Sequence, residues 1–297
     1  MSSPRSREPR SYLMSVLLLL IAMGSIQLGA SLAKTLFGSV GAGGAVALRT
    51  AFAALMLAVV LRPWRTRVGA GAWPALAVYG VSLGVMNFLY YMALRTLPLG
   101  ITVAIEFTGP LAVAVVSSRR PVDFLWVVLA AAGLALLLPI AHTGTSVDPT
   151  GVLFALGAGA CWALYIVFGQ KAGADNGPQA VAIGSVIAAI IVVPIGVAEA
   201  GARLFSVAAL PYGLAIALLS SALPYTLEMV ALTRLPARTF GILMSIEPAF
   251  GALAGWVMLH EQLSAVQWTA IAMIILASVG TTWTATAQRP SPVPMPD

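Results

Sequence analysis

Between residues 12 and 286 the chain is a succession of apolar stretches, each close to the length a membrane-crossing helix needs and parted by short breaks. A helix crosses the ~30 Å hydrocarbon core with about 20 mostly apolar residues and satisfies its backbone polar groups internally, as lipid requires. Ten segments qualify: 12–33, 42–61, 73–94, 99–117, 122–141, 150–170, 179–199, 207–232, 239–259 and 265–286. The breaks carry Pro, Gly or charge, as in Arg62-Pro63-Trp64-Arg65, Thr96-Leu97-Pro98 and Arg119-Arg120-Pro121. Only 9% of the residues are charged and 60% are hydrophobic, against about 25% charged in a typical soluble domain. With a mean hydropathy of +0.95, no soluble core could hide this surface. The expected fold class is an all-α polytopic membrane protein with ten transmembrane helices.

Arg5, Arg7 and Arg10 followed by an apolar run from Leu13 imitate a secretory signal, and Ala30-Ser31-Leu32-Ala33 imitates its cleavage site. The run is longer than a signal core and many spans follow it, so it is read as helix 1. Residues 1–11 are then a cytoplasmic tail, 12–141 a first five-helix unit, 150–286 a second, and the Pro-rich 287–297 a disordered tail. The segment from His142 to Pro149 is the seam between the halves. With the N-terminus inside, the inner segments hold Arg5, Arg7, Arg10, Arg62, Arg65, Arg67, Arg119, Arg120, Lys171, Arg234, Arg238 and Arg289. The outer segments hold Lys34, Arg95 and Arg203. That asymmetry places both termini in the cytoplasm, and one span more or fewer would destroy it. The basic pI of 9.9 therefore marks inner loops and not a nucleic-acid patch; the partner is a lipid bilayer. One cysteine, Cys161, and two histidines, His142 and His260, exclude a disulfide framework and a His/Cys metal site.

The halves echo one another. Tyr91-Met92-Ala93-Leu94-Arg95-Thr96-Leu97-Pro98 lines up with Met229-Val230-Ala231-Leu232-Thr233-Arg234-Leu235-Pro236. Each is followed by a span holding a glutamate, Glu106 or Glu247, and then a proline, Pro110 or Pro248. Five spans per half is odd, so the second copy runs upside-down. Inverted repeats with a midplane site between them are a signature of secondary transporters.

Glu106 and Glu247 lie ~10 and ~12 Å inside opposite edges of the core, at 1.5 Å per helical residue. A charge at that depth costs at least ~2.5 kcal/mol and usually marks an ion or substrate pathway. The plainer account is a neutral acid that ties helices together; for Glu247 it is a stabiliser of the kink at Pro248. Faces that could meet the acids are Gln27, Ser31 and Lys34 on helix 1, Asn87 and Tyr91 on helix 3, and Cys161 and Tyr165 on helix 6. Helix 8 adds Ser221, Tyr225 and Glu228. A cavity lined by Gln, Asn, Tyr and Ser around an acid suits a small zwitterion; singly each residue is more often packing glue than a ligand contact, and only their convergence is informative. Arg49, inside span 2, either snorkels to the outer surface or pairs with a carboxylate, the substrate's included. Glu228 with Arg234 reads as an interfacial ion pair, and Glu261 and Asp123 read as helix caps or surface charges. Gly80/Gly84, Gly251/Gly255 and Ser25/Gly29 allow close helix approach, and Trp64, Trp73 and Trp126 fit interfacial belts.

Neither Lys34 nor Lys171 stands in a phosphate-binding loop, so ATP does not drive the protein directly. No Ser-His-Asp set, metal spacing or filter-like run is visible, which leaves a membrane-embedded enzyme and a channel as weak rivals. Catalytic residues, cofactors and metals are expected to be none.

Several of these residues carry a resemblance. They include Ser25-Ile26-Gln27 with Gly29-Ala30-Ser31-Leu32-Ala33-Lys34, Glu106-Phe107-Thr108-Gly109-Pro110, Ser117-Ser118-Arg119-Arg120-Pro121-Val122-Asp123-Phe124, Gly157 to Ala163 and Ala222-Leu223-Pro224-Tyr225. In them the chain resembles the bacterial inner-membrane threonine/homoserine exporters, a family of the drug/metabolite transporter superfamily whose repeat is called EamA. The resemblance covers all but the first ten residues and the tail. It implies two inverted five-helix EamA-type repeats around a central cavity and proton-driven efflux of small amino acids. It supplies no site residues; Glu106 as the protonatable switch, Glu247 as its partner or substrate anchor, and a lining from Gln27, Ser31, Asn87, Tyr91, Tyr165, Tyr225 and Arg49 are read from the sequence. A broad metabolite or drug exporter of the same superfamily is the alternative. One departure is noted: the second half has His260-Glu261 where the first has Arg119-Arg120-Pro121.

Overall fold

The computed structural model describes residues 9–65, 68–116, 121–137, 148–224, 227 and 243–286, which form helices and turns without a strand. The helices are α1 (Pro9–Leu61), α2 (Trp73–Ala93), α3 (Leu99–Glu106), α4 (Thr108–Val116), α5 (Pro121–Leu137), α6 (Pro149–Asn176), α7 (Gln179–Ala200), α8 (Ala209–Ala217), α9 (Glu247–Leu259) and α10 (Ala265–Thr286). Four helical runs among them are long and apolar enough to cross a membrane: Leu13–Leu61, Ala70–Ala93, Pro149–Ala174 and Gln179–Phe205. Val60, Phe124, Leu153 and Ile190 are each at least two-thirds exposed, and apolar surface on that scale belongs against lipid. The protein is a multi-pass membrane protein.

Three segments depart from regular single spans, each for a local reason. The sequence ends helix 1 at residue 33, but α1 continues through Lys34 and turns only at Gly41 (φ 74°, ψ 172°). A left-handed φ favours glycine, and the Glu199 side chain occupies the space where a Cβ would stand. Span 99–117 breaks at Phe107, between α3 and α4. Pro110 has no N–H to give the Glu106 carbonyl four residues back, and the Thr108 hydroxyl instead donates to Ile105 O at 2.6 Å. Beyond α8 the chain loosens into a π turn, Leu218–Ala222, a feature common at functional sites.

The first arm of α1 packs on α9 and the π turn, and its second arm on α7 and α8; α2 packs on α6 and α7, α3 on α9, α4 on α6, and α5 on α10. The small residues singled out in the sequence lie at these crossings. Gly80 and Gly84 meet Ile187 and Ala188, Gly251 meets Val103, and Gly29 meets Ser220. The Trp126 ring, partly buried, packs across Gly280 of α10. Arg119, Arg120, Glu228, Arg234, Arg238, His142, residues 1–8, residues 287–297 and the Asp123 side chain lie outside the described residues, and residues 9–11 of the expected N-terminal tail begin α1.

Candidate functional site

The breaks at Phe107 and before Glu247 put two carboxyls beside one cavity. Glu106 is the last residue of α3 and Glu247 the first of α9; they are 8% and 6% exposed, so both are nearly dry. The cavity holds about 220 Å³, below the range for drug-sized ligands and suited to a small solute. Glu106, Glu247, Gln27, Asn87, Tyr91, Tyr165 and Arg49 all line it. Ser31 is buried but turned aside: its hydroxyl donates to Gln27 O at 2.9 Å, and it forms no part of the wall. Tyr225 lies outside the described residues.

The polar groups fall into two corners. In the acidic corner, Gln27 Nε2 donates to Glu247 Oε1 at 3.2 Å, joining α1 to α9. No hydrogen bond from a described residue reaches the Glu106 carboxyl, which lies within electrostatic reach of Glu247 and Arg49. In the basic corner, Arg49 donates to Asn87 Oδ1 and, at 3.3 Å, to the Ser220 carbonyl in the π turn. Its guanidinium carbon stands 5.7 Å from the centroid of the Tyr91 ring, a cation–π contact. Asn87 is held in turn by donating to Leu83 O at 2.7 Å. Arg49 therefore does not snorkel to the surface; side chains of α2 and the π-turn backbone fix its fork at the cavity.

The sequence reading missed the rest of the wall: Tyr90, Trp162, Met86, Met244, Leu83 and Ser220 among others. Phe107 meets Trp162 edge to face, 5.4 Å between centroids, and Tyr79 stacks on Tyr165 at 4.9 Å. Such residues give little signal in a chain where every span is apolar. Glu261, expected as a helix cap or surface charge, caps α3 by accepting from Leu99 N–H at 2.7 Å. Lys34, expected on the polar face of helix 1, forms a salt bridge of 2.6 Å from its Nζ to Glu261 Oε1. One cation and two carboxyls around a small cavity can hold a zwitterion, with its carboxylate on the guanidinium fork and its ammonium on an acid.

A family model described as the EamA-like transporter family matches residues 149–283. The threonine/homoserine exporter RhtA of Escherichia coli (strain K12) is 56% identical over 281 residues, covering 95% of this chain and 95% of its own. The threonine/homoserine exporter RhtA of Salmonella typhimurium (strain LT2) is 57% identical with the same coverage. The uncharacterized transporter YwfM of Bacillus subtilis (strain 168) is 30% identical over 231 residues, 74% of this chain and 77% of its own. A crystal structure at 20% identity superposes with a TM-score of 0.57, covering 95% of this chain and 99% of its own, a likeness of fold.

Proposed function

This chain belongs to the EamA-like transporter family, and from that premise we propose that it exports threonine, homoserine or a similarly small amino acid across the bacterial inner membrane in exchange for protons. Membership makes it a transporter and not an enzyme. The observation that carries the substrate class is the meeting of Arg49 with Glu106 and Glu247 in one 220 Å³ cavity. An α-amino acid offers a carboxylate to the guanidinium corner and an ammonium to the acidic corner. The relatives named for threonine and homoserine export support the choice of side chain.

The reading includes ten spans, both termini cytoplasmic, in two inverted units, 12–141 and 150–286. The packing supports it. Exchanging each span with the fifth one after it carries the α2–α6 contact onto α1–π turn, and α4–α6 onto α9–α1. It leaves α3–α9 and α5–α10 in place. The prolines supply the register, since Pro110 and Pro248 each stand twelve residues beyond the proline of a Leu-Pro pair. In that register Glu247 falls opposite Gly109, so the two acids are not equivalents and have different duties. Glu247 opens α9, where the helix dipole favours a standing negative charge; we assign it the substrate ammonium. Glu106 closes α3, where the dipole gives no such support, and its carboxyl is free to take a proton.

A proton on Glu106 lowers the negative charge that holds an ammonium at Glu247, and this coupling between the two acids links proton entry to substrate release. A proton entering down 100 mV releases ~2.3 kcal/mol and a unit of pH adds about 1.4. One proton per neutral zwitterion then sustains a gradient of a few hundredfold. The test is flux of labelled threonine in proteoliposomes with and without a pH gradient, repeated with Glu106→Gln. Loss of gradient dependence with binding retained supports the switch; unchanged coupled flux ends it.

A further inference from the structure

Lys34, assigned no part in binding, sits in a three-way tie. Its Nζ donates to Glu261 Oε1 at 2.6 Å and to Leu97 O at 2.8 Å. The other Glu261 oxygen accepts from Leu99 N–H at 2.7 Å, supplying a cap that Pro98 at the start of α3 cannot. Glu261 is held folded back onto α9 by its own N–H, which donates to Gly255 O at 3.1 Å, behind His260 in a left-handed conformation (φ 56°).

The tie lies at one height above the cavity on three separate helices. Lys34 is seven residues beyond Gln27 on α1, and Leu99 seven before Glu106 on α3, each ~10 Å at 1.5 Å per residue. Gly255 is eight beyond Glu247 on α9, ~12 Å. Between tie and cavity α3 and α9 interlock, Gly100 against Ala252 and Gly251 against Val103. The three helices that carry Gln27, Glu106 and Glu247 are thus drawn together at one end. Two come from the first half of the chain and one from the second, so the tie crosses the interface along which inverted repeats rock. Lys34 and Glu261 keep 22% and 14% of their side-chain surface exposed, so water can replace the bond when the helices part.

We propose that Lys34 and Glu261 are the latch that shuts this end of the transport cavity, and that each transport cycle breaks and remakes it. The inference rests on the exporter reading for its cycle but on the tie for its place. On the ten-span topology the latch is on the outer face.

The experiment uses the full chain with Cys161→Ala and Ala30→Cys, which puts a single thiol in the cavity wall. Labelling by a membrane-impermeant thiol reagent is followed in right-side-out and inverted vesicles. Glu261→Gln and Lys34→Met are each expected to raise the labelling rate at least threefold, from the latch's face alone. In a second variant, Lys34→Cys with Glu261→Cys and no other cysteine, a short reducible bifunctional thiol reagent is expected to stop labelled-threonine flux, and reductant to restore it. Unchanged labelling in both single variants, or full flux in the cross-linked protein, overturns the latch. Accelerated labelling from the opposite vesicle type corrects the topology and leaves the latch standing. Accelerated labelling without threonine flux in the parent rejects the substrate and keeps the latch.

Discussion

Gly159 of α6 lies so close to the carbonyl of Glu106 that a Cβ on the glycine would stand 2.7 Å from that oxygen. The approach exists because Pro110 leaves the carbonyl without its helical partner, and a bare backbone fills the gap. Gly159→Ala should therefore push α3 and α4 away from α6 and displace the Glu106 carboxyl. Overpacking of this kind typically costs about 1–3 kcal/mol. A lower melting temperature and weaker threonine flux are expected, with Gly173→Ala, which meets nothing within 4 Å, as the neutral control.

Asp148 caps α6, accepting from Thr150 N–H at 3.1 Å and Gly151 N–H at 3.3 Å. The Thr96 hydroxyl, followed by the Thr150 N–H, holds its carboxyl below the usual aspartate value. A folded-state value below the unfolded one means the cap stabilises above the unfolded value, and that contribution is lost as pH falls through the folded one. The melting-temperature advantage of the parent over Asp148→Asn should hold steady from pH 8 to about 5 and shrink below about pH 4. An advantage that grows on acidification would contradict the assignment.

Glu106, Glu247, Gln27, Asn87, Tyr91, Tyr165 and Arg49 were legible in the sequence for one reason. A polar side chain inside an apolar span is costly, so each announces itself. Trp162 and Met244 carry no such mark, since a cavity wall and a lipid-facing surface are both apolar; Tyr90 carries the same mark as Tyr91 but is absent from the helix-3 face read from the sequence. Ser31 shares the stripe of Gln27 by period, yet its hydroxyl satisfies the helix behind it; periodicity gives the face but not the rotamer. Gly41 and the π turn are invisible to periodicity altogether. The pairing of Lys34 with Glu261 joins positions 227 apart, a separation that no local pattern reaches.

Gln27 presents its amide to Glu247 from the neighbouring helix, which orients the acid we assign to the substrate ammonium. Gln27→Leu keeps the volume and removes that donor. Hydrogen bonds to charged groups are worth ~1.5–3 kcal/mol, so threonine affinity should fall roughly tenfold or more. Calorimetric titration in detergent reads this directly. An unchanged Kd would show that the ammonium docks elsewhere.

Arg49 offers the sharpest separation of recognition from stability. Its fork is fixed by Asn87, the Ser220 carbonyl and the Tyr91 ring, so it meets a substrate carboxylate without reordering. Lysine keeps the charge but loses the planar bidentate geometry. Arg49→Lys should therefore weaken threonine binding about 10- to 100-fold, the range spanned by a charge-assisted hydrogen bond. Threoninol, which has the ammonium and both hydroxyls but no carboxylate, should bind parent and variant alike. Equal losses for both ligands would place Arg49 in the framework of the cavity and take the carboxylate away from it.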